Sequence, residues 1–197
     1  MLILLDNGHG QNTPGKCSPD GRLREWAYTR EIARRVEAGL KALGVGVRRI
    51  VPEDADISLA ERVRRVNAEC QRSGAQNVVL CSIHCNAAGG DGQWHTARGF
   101  SPWIYTKASA RSQALAKAFQ TEAERLGLKG NRAVPISKYW TANFYILKHT
   151  QCPAVLTENL FQDNREDVDF LLSEQGKAAV VELHTRTLAR YAAGKIN

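Results

Sequence analysis

Two apolar segments of strand length each lead into a histidine, and this repeated pattern constrains the fold more than any other feature. Residues 2–5 lead to His9, which has a glycine on either side, and residues 78–83 lead directly to His84. A short continuous apolar run is typical of a strand that is buried on both faces, as in parallel sheets. Because open α/β sheets bind ligands at the carboxyl ends of their strands, we expect both histidines at one edge of a sheet.

Strand-like and helix-like segments alternate along the rest of the chain. Apolar spacing and capping residues predict helices over about 25–43, 58–72, 108–126 and 173–191. Apolar runs predict strands over 2–5, 45–51, 78–83, 99–106 and 152–159, and residues 127–151 are expected to be less regular. This alternation favours the α/β class, with a mostly parallel twisted sheet of about five to six strands and helices on both faces. We expect one domain over residues 1–197.

Composition and charge narrow the function classes. The net charge is +7 and the pI about 9.3, which favours an acidic partner such as a nucleic acid or an anionic wall polymer. The basic residues are scattered rather than gathered in one run, so nucleic-acid binding is disfavoured. No apolar run approaches the roughly 20 residues of a membrane span. The first residues lack the pattern of a signal peptide, so we expect either release by another route or a mature, truncated form of a secreted protein.

The cysteines indicate neither a disulfide framework nor a thiolate metal site. Their number is five, which is odd, and their spacings are wide. No pair has the Cys-x-x-Cys spacing of a zinc site. We therefore expect all of them to be reduced and structural.

Four residues combine into a candidate metal centre. His9, His84 and Glu158 stand at the ends of predicted strands, and Glu25 opens the first predicted helix. Each has an ordinary structural role when taken singly, but two histidines and a glutamate are a known ligand set of catalytic zinc. Zinc makes a bound water acidic, and a further carboxylate is then needed to carry protons. We expect His9, Glu25 and His84 to be the ligands and Glu158 to be that carboxylate.

Five motifs in order resemble those of one enzyme family. They are residues 5–10, Arg24-Glu25, residues 57–62 with 66–68, residues 82–87, and residues 153–161 preceded by Gly99. Together they are similar to the zinc-dependent N-acetylmuramoyl-L-alanine amidases, the amidase-3 family, and they span essentially the whole chain.

The resemblance implies hydrolysis of the amide between the lactyl group of N-acetylmuramic acid and L-alanine of the peptidoglycan stem. It also implies one Zn²⁺ per chain on His9, Glu25 and His84, with Glu158 as the catalytic glutamate. The implied partner is peptidoglycan or a muramyl peptide, in the periplasm or outside the cell, where the enzyme would serve as an autolysin or a phage endolysin. We expect a monomer that binds no nucleic acid.

Substrate contacts and regulation are less constrained by the sequence. Loop positions and aromatic character suggest substrate binding by Asn86, Trp94, His95, Tyr139 and Trp140. The segment between Asn86 and Gly99 is short, so we expect no inhibitory helix over the site. Two other functions stay open: a zinc peptidase or deacylase that acts on another amide, and a catalytically silent wall-binding regulator.

Overall fold

The computed structural model describes residues 1–196, and its centre is a six-stranded sheet. The strands are β1 (Leu2–Asn7), β2 (Gly46–Arg49), β3 (Val78–Asn86), β4 (Ser101–Tyr105), β5 (Trp140–Ala142) and β6 (Ala154–Phe161). Their spatial order is β2-β1-β3-β6-β4-β5, and every neighbouring pair is parallel except β4 with β6. The expected α/β class with a mostly parallel sheet is confirmed.

Helices cover both faces of this sheet. They are α1 (Glu25–Ala42), α2 (Leu59–Ser73), α3 (Ala110–Arg125), α4 (Tyr145–His149), α5 (Arg165–Leu172) and α6 (Glu174–Ala192). Side chains alternate along β1, so Ile3 and Leu5 join the core beneath α1, α3 and α6, whereas Leu4 joins the core beneath α2 and α4. Within residues 1–196, no helix has both the length and the apolar character that a membrane crossing requires.

Three short elements of the structure are not predicted from the sequence. Strand β5 and helix α4 lie inside the segment expected to be irregular, and α5 precedes the predicted last helix. β5 has three residues and α4 has five, too few for an apolar period to be recognised. The last predicted strand, over 152–159, is observed as β6 (Ala154–Phe161), so Glu158 lies within the strand and not at its end.

His184 joins helix α6 to strand β6 inside the larger core. Its side chain is fully buried. Nδ1–H donates to the Val180 carbonyl at 2.8 Å, and the Thr157 hydroxyl donates to Nε2 at 2.9 Å. Burial lowers the pKa of His184 to about 4, so this imidazole is neutral in the folded protein at neutral pH.

We expect the protein to lose stability as the pH falls from about 6.5 to about 4, because there the unfolded chain protonates His184 and the folded chain does not. The contribution of this group to the free energy of unfolding is on the order of 3 kcal/mol. Urea unfolding across this range should show a smaller pH dependence in His184→Gln than in the wild type. The exposed His149, changed to Gln, is the control. Equal pH dependence in the wild type and His184→Gln would contradict this account.

Candidate metal centre

The turn after β1 presents His9 in a strained conformation. His9 has a φ of 58°, in the left-handed region that costs a non-glycine residue about 1–2 kcal/mol. The flanking glycines leave no room for a side chain. A Cβ on Gly8 would lie 2.4 Å from the His84 ring, and a Cβ on Gly10 would lie 2.0 Å from the Asp56 backbone nitrogen. The turn therefore packs closely between strand β3 and the segment around Asp56.

Glu25, the first residue of α1, bridges the two histidines. Its side chain is buried, with Oε1 3.1 Å from Nδ1 of His84 and Oε2 3.4 Å from Nε2 of His9. The Cys85 backbone N–H also donates to Oε1 at 3.0 Å. One ligand atom from each of His9, Glu25 and His84 lies within 4.8 Å of the others. The structure thus brings the three predicted ligands together.

Burial and neighbouring charges shift the pKa values of Glu25 and His84 in opposite directions. Burial raises the pKa of Glu25, but hydrogen bonds with His84 and His9 outweigh it and bring that pKa to about 2. Burial lowers the pKa of His84, and the Glu25 carboxylate overcomes this, so the net shift is upward. A buried carboxylate held between two imidazoles is a donor set that suits a divalent cation.

Glu158 faces this group from the neighbouring strand. Its Cα is paired with that of His84 in the parallel ladder of β3 and β6. Its Oε2 is buried and has no hydrogen-bond partner among residues 1–196. Burial raises the pKa of Glu158 to about 7, although the charge of His84 acts in the opposite direction. A carboxyl group with that pKa can both accept and release a proton near neutrality.

His9, His84 and Glu158 line a cavity of about 390 Å³ on the α2 and α4 side of the sheet. The remaining lining residues are Asp6, Lys16, Asp56, Ile57, Ser58, Leu59, Arg62, Phe144, Tyr145, Ile146 and Leu156. The apolar members come from the start of α2 and the residue before its N-cap, from α4 and its N-cap, and from β6. Cavities of this size in which polar groups converge beside apolar side chains are typical ligand sites.

The five predicted substrate-binding residues lie outside the lining of this cavity. Asn86 ends β3, the His95 ring contacts Asp91, and the Trp94 ring lies under Arg165. Tyr139 packs on the larger core, and Trp140 contacts Trp103 and Arg132. Their roles in binding stay predictions.

Sequence reasoning missed the cavity residues Lys16, Phe144 and Tyr145, which belong to irregular or short segments. It also passed over Arg132, whose guanidinium lies 5.0 Å from the Trp140 ring and 4.8 Å from the Phe161 ring. No local pattern marks these residues, since only the folded chain brings them beside the strand ends.

Comparison with known proteins identifies the family of the chain. Residues 3–190 match the family described as N-acetylmuramoyl-L-alanine amidase, so the chain belongs to that family, and the resemblance seen in the motifs is confirmed. The chain is 29% identical over 197 residues to the endolysin of Bacillus phage SPP1, covering 95% of this chain but only 65% of that protein. It therefore spans less than two thirds of that relative's length.

Solved structures show the same fold. An N-acetylmuramoyl-L-alanine amidase from Clostridium difficile 630 superimposes with a TM-score of 0.82 at 25% identity, covering 98% of this chain and 97% of that one. The amidase Ami1 from Mycobacterium smegmatis gives a TM-score of 0.84 at 20% identity, with the same coverage, and shows likeness of fold alone.

We expect Gly8→Ala to weaken Zn²⁺ binding about tenfold or more, because the new Cβ would push the His84 ring from its place. Competition with a chromophoric chelator measures the affinity, and circular dichroism checks the fold. Gly90→Ala is the matched control, since its Cβ would meet no atom within 4 Å. Wild-type affinity in Gly8→Ala would show that this packing does not position His84.

Proposed function

We propose that this protein is a peptidoglycan hydrolase that cleaves the amide between the lactyl group of N-acetylmuramic acid and L-alanine of the stem peptide. The family match over residues 3–190 supports this reaction class. The observation that carries it is the cluster of His9, Glu25 and His84, whose two histidines line one cavity together with the unpaired Glu158.

One zinc ion per chain fits the ligand group. Two imidazole nitrogens and one carboxylate oxygen are a ligand set of catalytic zinc, and three protein ligands leave a position for water or substrate. Zinc, when bound, polarises a carbonyl and makes water a better nucleophile. The short contacts of Glu25 to both histidines mean that little rearrangement is needed to hold the ion.

Glu158 is the proton carrier in this proposal. Its unpaired Oε2 accepts a proton as water adds to the scissile carbonyl carbon. The same carboxyl group then gives that proton to the alanine nitrogen as the C–N bond breaks, which leaves a lactyl carboxylic acid and a free amine. Burial raises the pKa of Glu158 to about 7 in the metal-free protein, and the same burial favours the protonated form that donates to the nitrogen.

The proposed place of action is the bacterial cell wall, in the periplasm or outside the cell. The relative from phage SPP1 is named an endolysin, which agrees with this placement. The net charge of +7 would favour contact with anionic wall polymers. We further propose that the chain works as a single catalytic unit and as a monomer.

We expect Glu158→Gln to lower muramyl-peptide hydrolysis by about 10²–10⁴-fold, because the amide cannot accept the proton. Zinc content should stay unchanged, since Glu158 is not among the three clustered ligand residues. Glu182→Gln, at a half-exposed position on α6, is the control. Turnover is measured by mass spectrometry of the products.

The products also decide between the alternatives. Cleavage at another amide would indicate the zinc peptidase or deacylase function. Zinc binding without any hydrolysis in the wild type would favour a silent wall-binding protein. Full activity in Glu158→Gln would remove this residue from the mechanism.

We expect the isolated chain to hydrolyse wall material without an activator. Among the described residues, the segment 87–100 between β3 and β4 contains no helix that could cover the cavity. Release of free amino groups from purified peptidoglycan, in the presence of Zn²⁺ alone, measures this. Activity that appears only after a second protein is added would refute the expectation.

A further inference from the structure

Two buried arginines converge on the backbone of His9. Nη2 of Arg30 and Nη2 of Arg62 each donate to the His9 carbonyl oxygen at 3.0 Å. Nη1 of Arg62 also donates to the carbonyl of Asn7 at 2.7 Å, just before the turn. Both arginine side chains are only 2% exposed. The single carbonyl of a candidate ligand thus receives two charged hydrogen bonds.

Arg30 is anchored at its other end to the segment before α2. Its Nε donates to the Glu53 carbonyl at 2.9 Å, and its Nη2 reaches the Ala55 carbonyl at 3.4 Å. Nη1 donates to the carbonyl of Trp26, in its own helix, at 3.1 Å. Arg30 therefore ties α1, the His9 turn and residues 53–55 together through main-chain oxygens.

Arg62 is anchored in the same region from α2. Its Nε donates to the Ile57 carbonyl at 2.7 Å, and its Nη2 lies 3.1 Å from Oδ1 of Asp56. Nη1 pairs with the buried Asp6 carboxylate at 2.7 Å. The two arginines thus reach the turn from different helices.

This arrangement needs an explanation, because burying two like charges is costly. Burial lowers the pKa of Arg30 and the charge of Arg62 lowers it further, and the carboxylates of Asp54, Asp6 and Asp56 offset this only in part. Positive charges beside a cation site also oppose cation binding by simple electrostatics. Their shared hydrogen bonds to the His9 carbonyl favour a geometric role. The strained φ of His9 is the feature at the point of convergence, and such strain persists only where surrounding contacts hold it.

We propose that Arg30 and Arg62 are positioning residues that hold His9 in its left-handed conformation, so that its imidazole faces Glu25 and His84 before a metal ion binds. The inference rests on the metal centre of the proposed function and not on the substrate. Its test is therefore a binding measurement that needs no hydrolysis.

The direction of the change in Zn²⁺ affinity distinguishes a positioning role of Arg30 from an electrostatic one. Arg30→Met removes a positive charge near the site, so a purely electrostatic effect would strengthen Zn²⁺ binding. Loss of positioning would weaken it. Arg30→Lys keeps the charge, but one ammonium group cannot reach the Glu53, Ala55 and His9 carbonyls together. Positioning therefore predicts weaker binding in both variants.

The experiment is competition for Zn²⁺ between the metal-free protein and a chromophoric chelator at neutral pH. We expect a 10–100-fold loss of affinity in Arg30→Met and a loss in the same direction in Arg30→Lys. Arg34→Met is the matched control, because Arg34 is exposed on the same helix and the change removes the same charge. Thermal unfolding of each metal-free variant confirms that it is folded.

Ile32→Val, in the buried face of α1, controls for a general loss of stability. If it lowers the affinity as much as Arg30→Lys at a similar loss of stability, the positioning role is overturned. Unchanged or tighter binding in Arg30→Met or in Arg30→Lys overturns it as well. A wild-type chain that binds no Zn²⁺ overturns the metal centre and this proposal with it, whereas failure to hydrolyse muramyl peptides does not affect it.

Discussion

The parallel pairing of β3 with β6 places Glu158 opposite His84, and the chemistry of the site depends on this register. β1 pairs with β3 in the same direction, and its last residue, Asn7, lies beside Ile83. His9 therefore emerges at the edge where His84 and Glu158 already lie. A shift of one residue in either pairing would turn a functional side chain toward the opposite face of the sheet.

Around this edge the protein buries several charged groups, and Glu25 and Asp6 are each held by more than one partner. Glu25 is held by two imidazoles and a backbone N–H. The Asp6 carboxylate is shared between Arg62 and the Ser82 hydroxyl. Glu158 differs, since one carboxylate oxygen lacks a partner among residues 1–196. A satisfied network gives rigidity, and the unpaired carboxylate oxygen of Glu158 is the feature on which the proposed proton transfer rests.

Many of the strands and helices that position the site could be predicted from local sequence patterns. The apolar runs of β1, β3 and β6 and the long helices were recognisable because buried strands and amphipathic helices leave a regular spacing. The start of α1 at Glu25 was predicted and is observed. The edge strand β5 and the short helices α4 and α5 were not, because the stability of so few residues comes from tertiary packing. The cavity wall formed by α4 was missed for the same reason.

By itself the sequence determined which chemical groups stand at the strand ends, and its ordered motifs identified the family. These are local properties, set by residue type and spacing. Only the tertiary structure decided that Glu25 contacts both histidines, that His9 is held in a left-handed turn, and that Arg30 and Arg62 meet at its carbonyl. Those contacts join segments more than 15 residues apart, and close packing of the whole domain fixes them, so no local pattern records them.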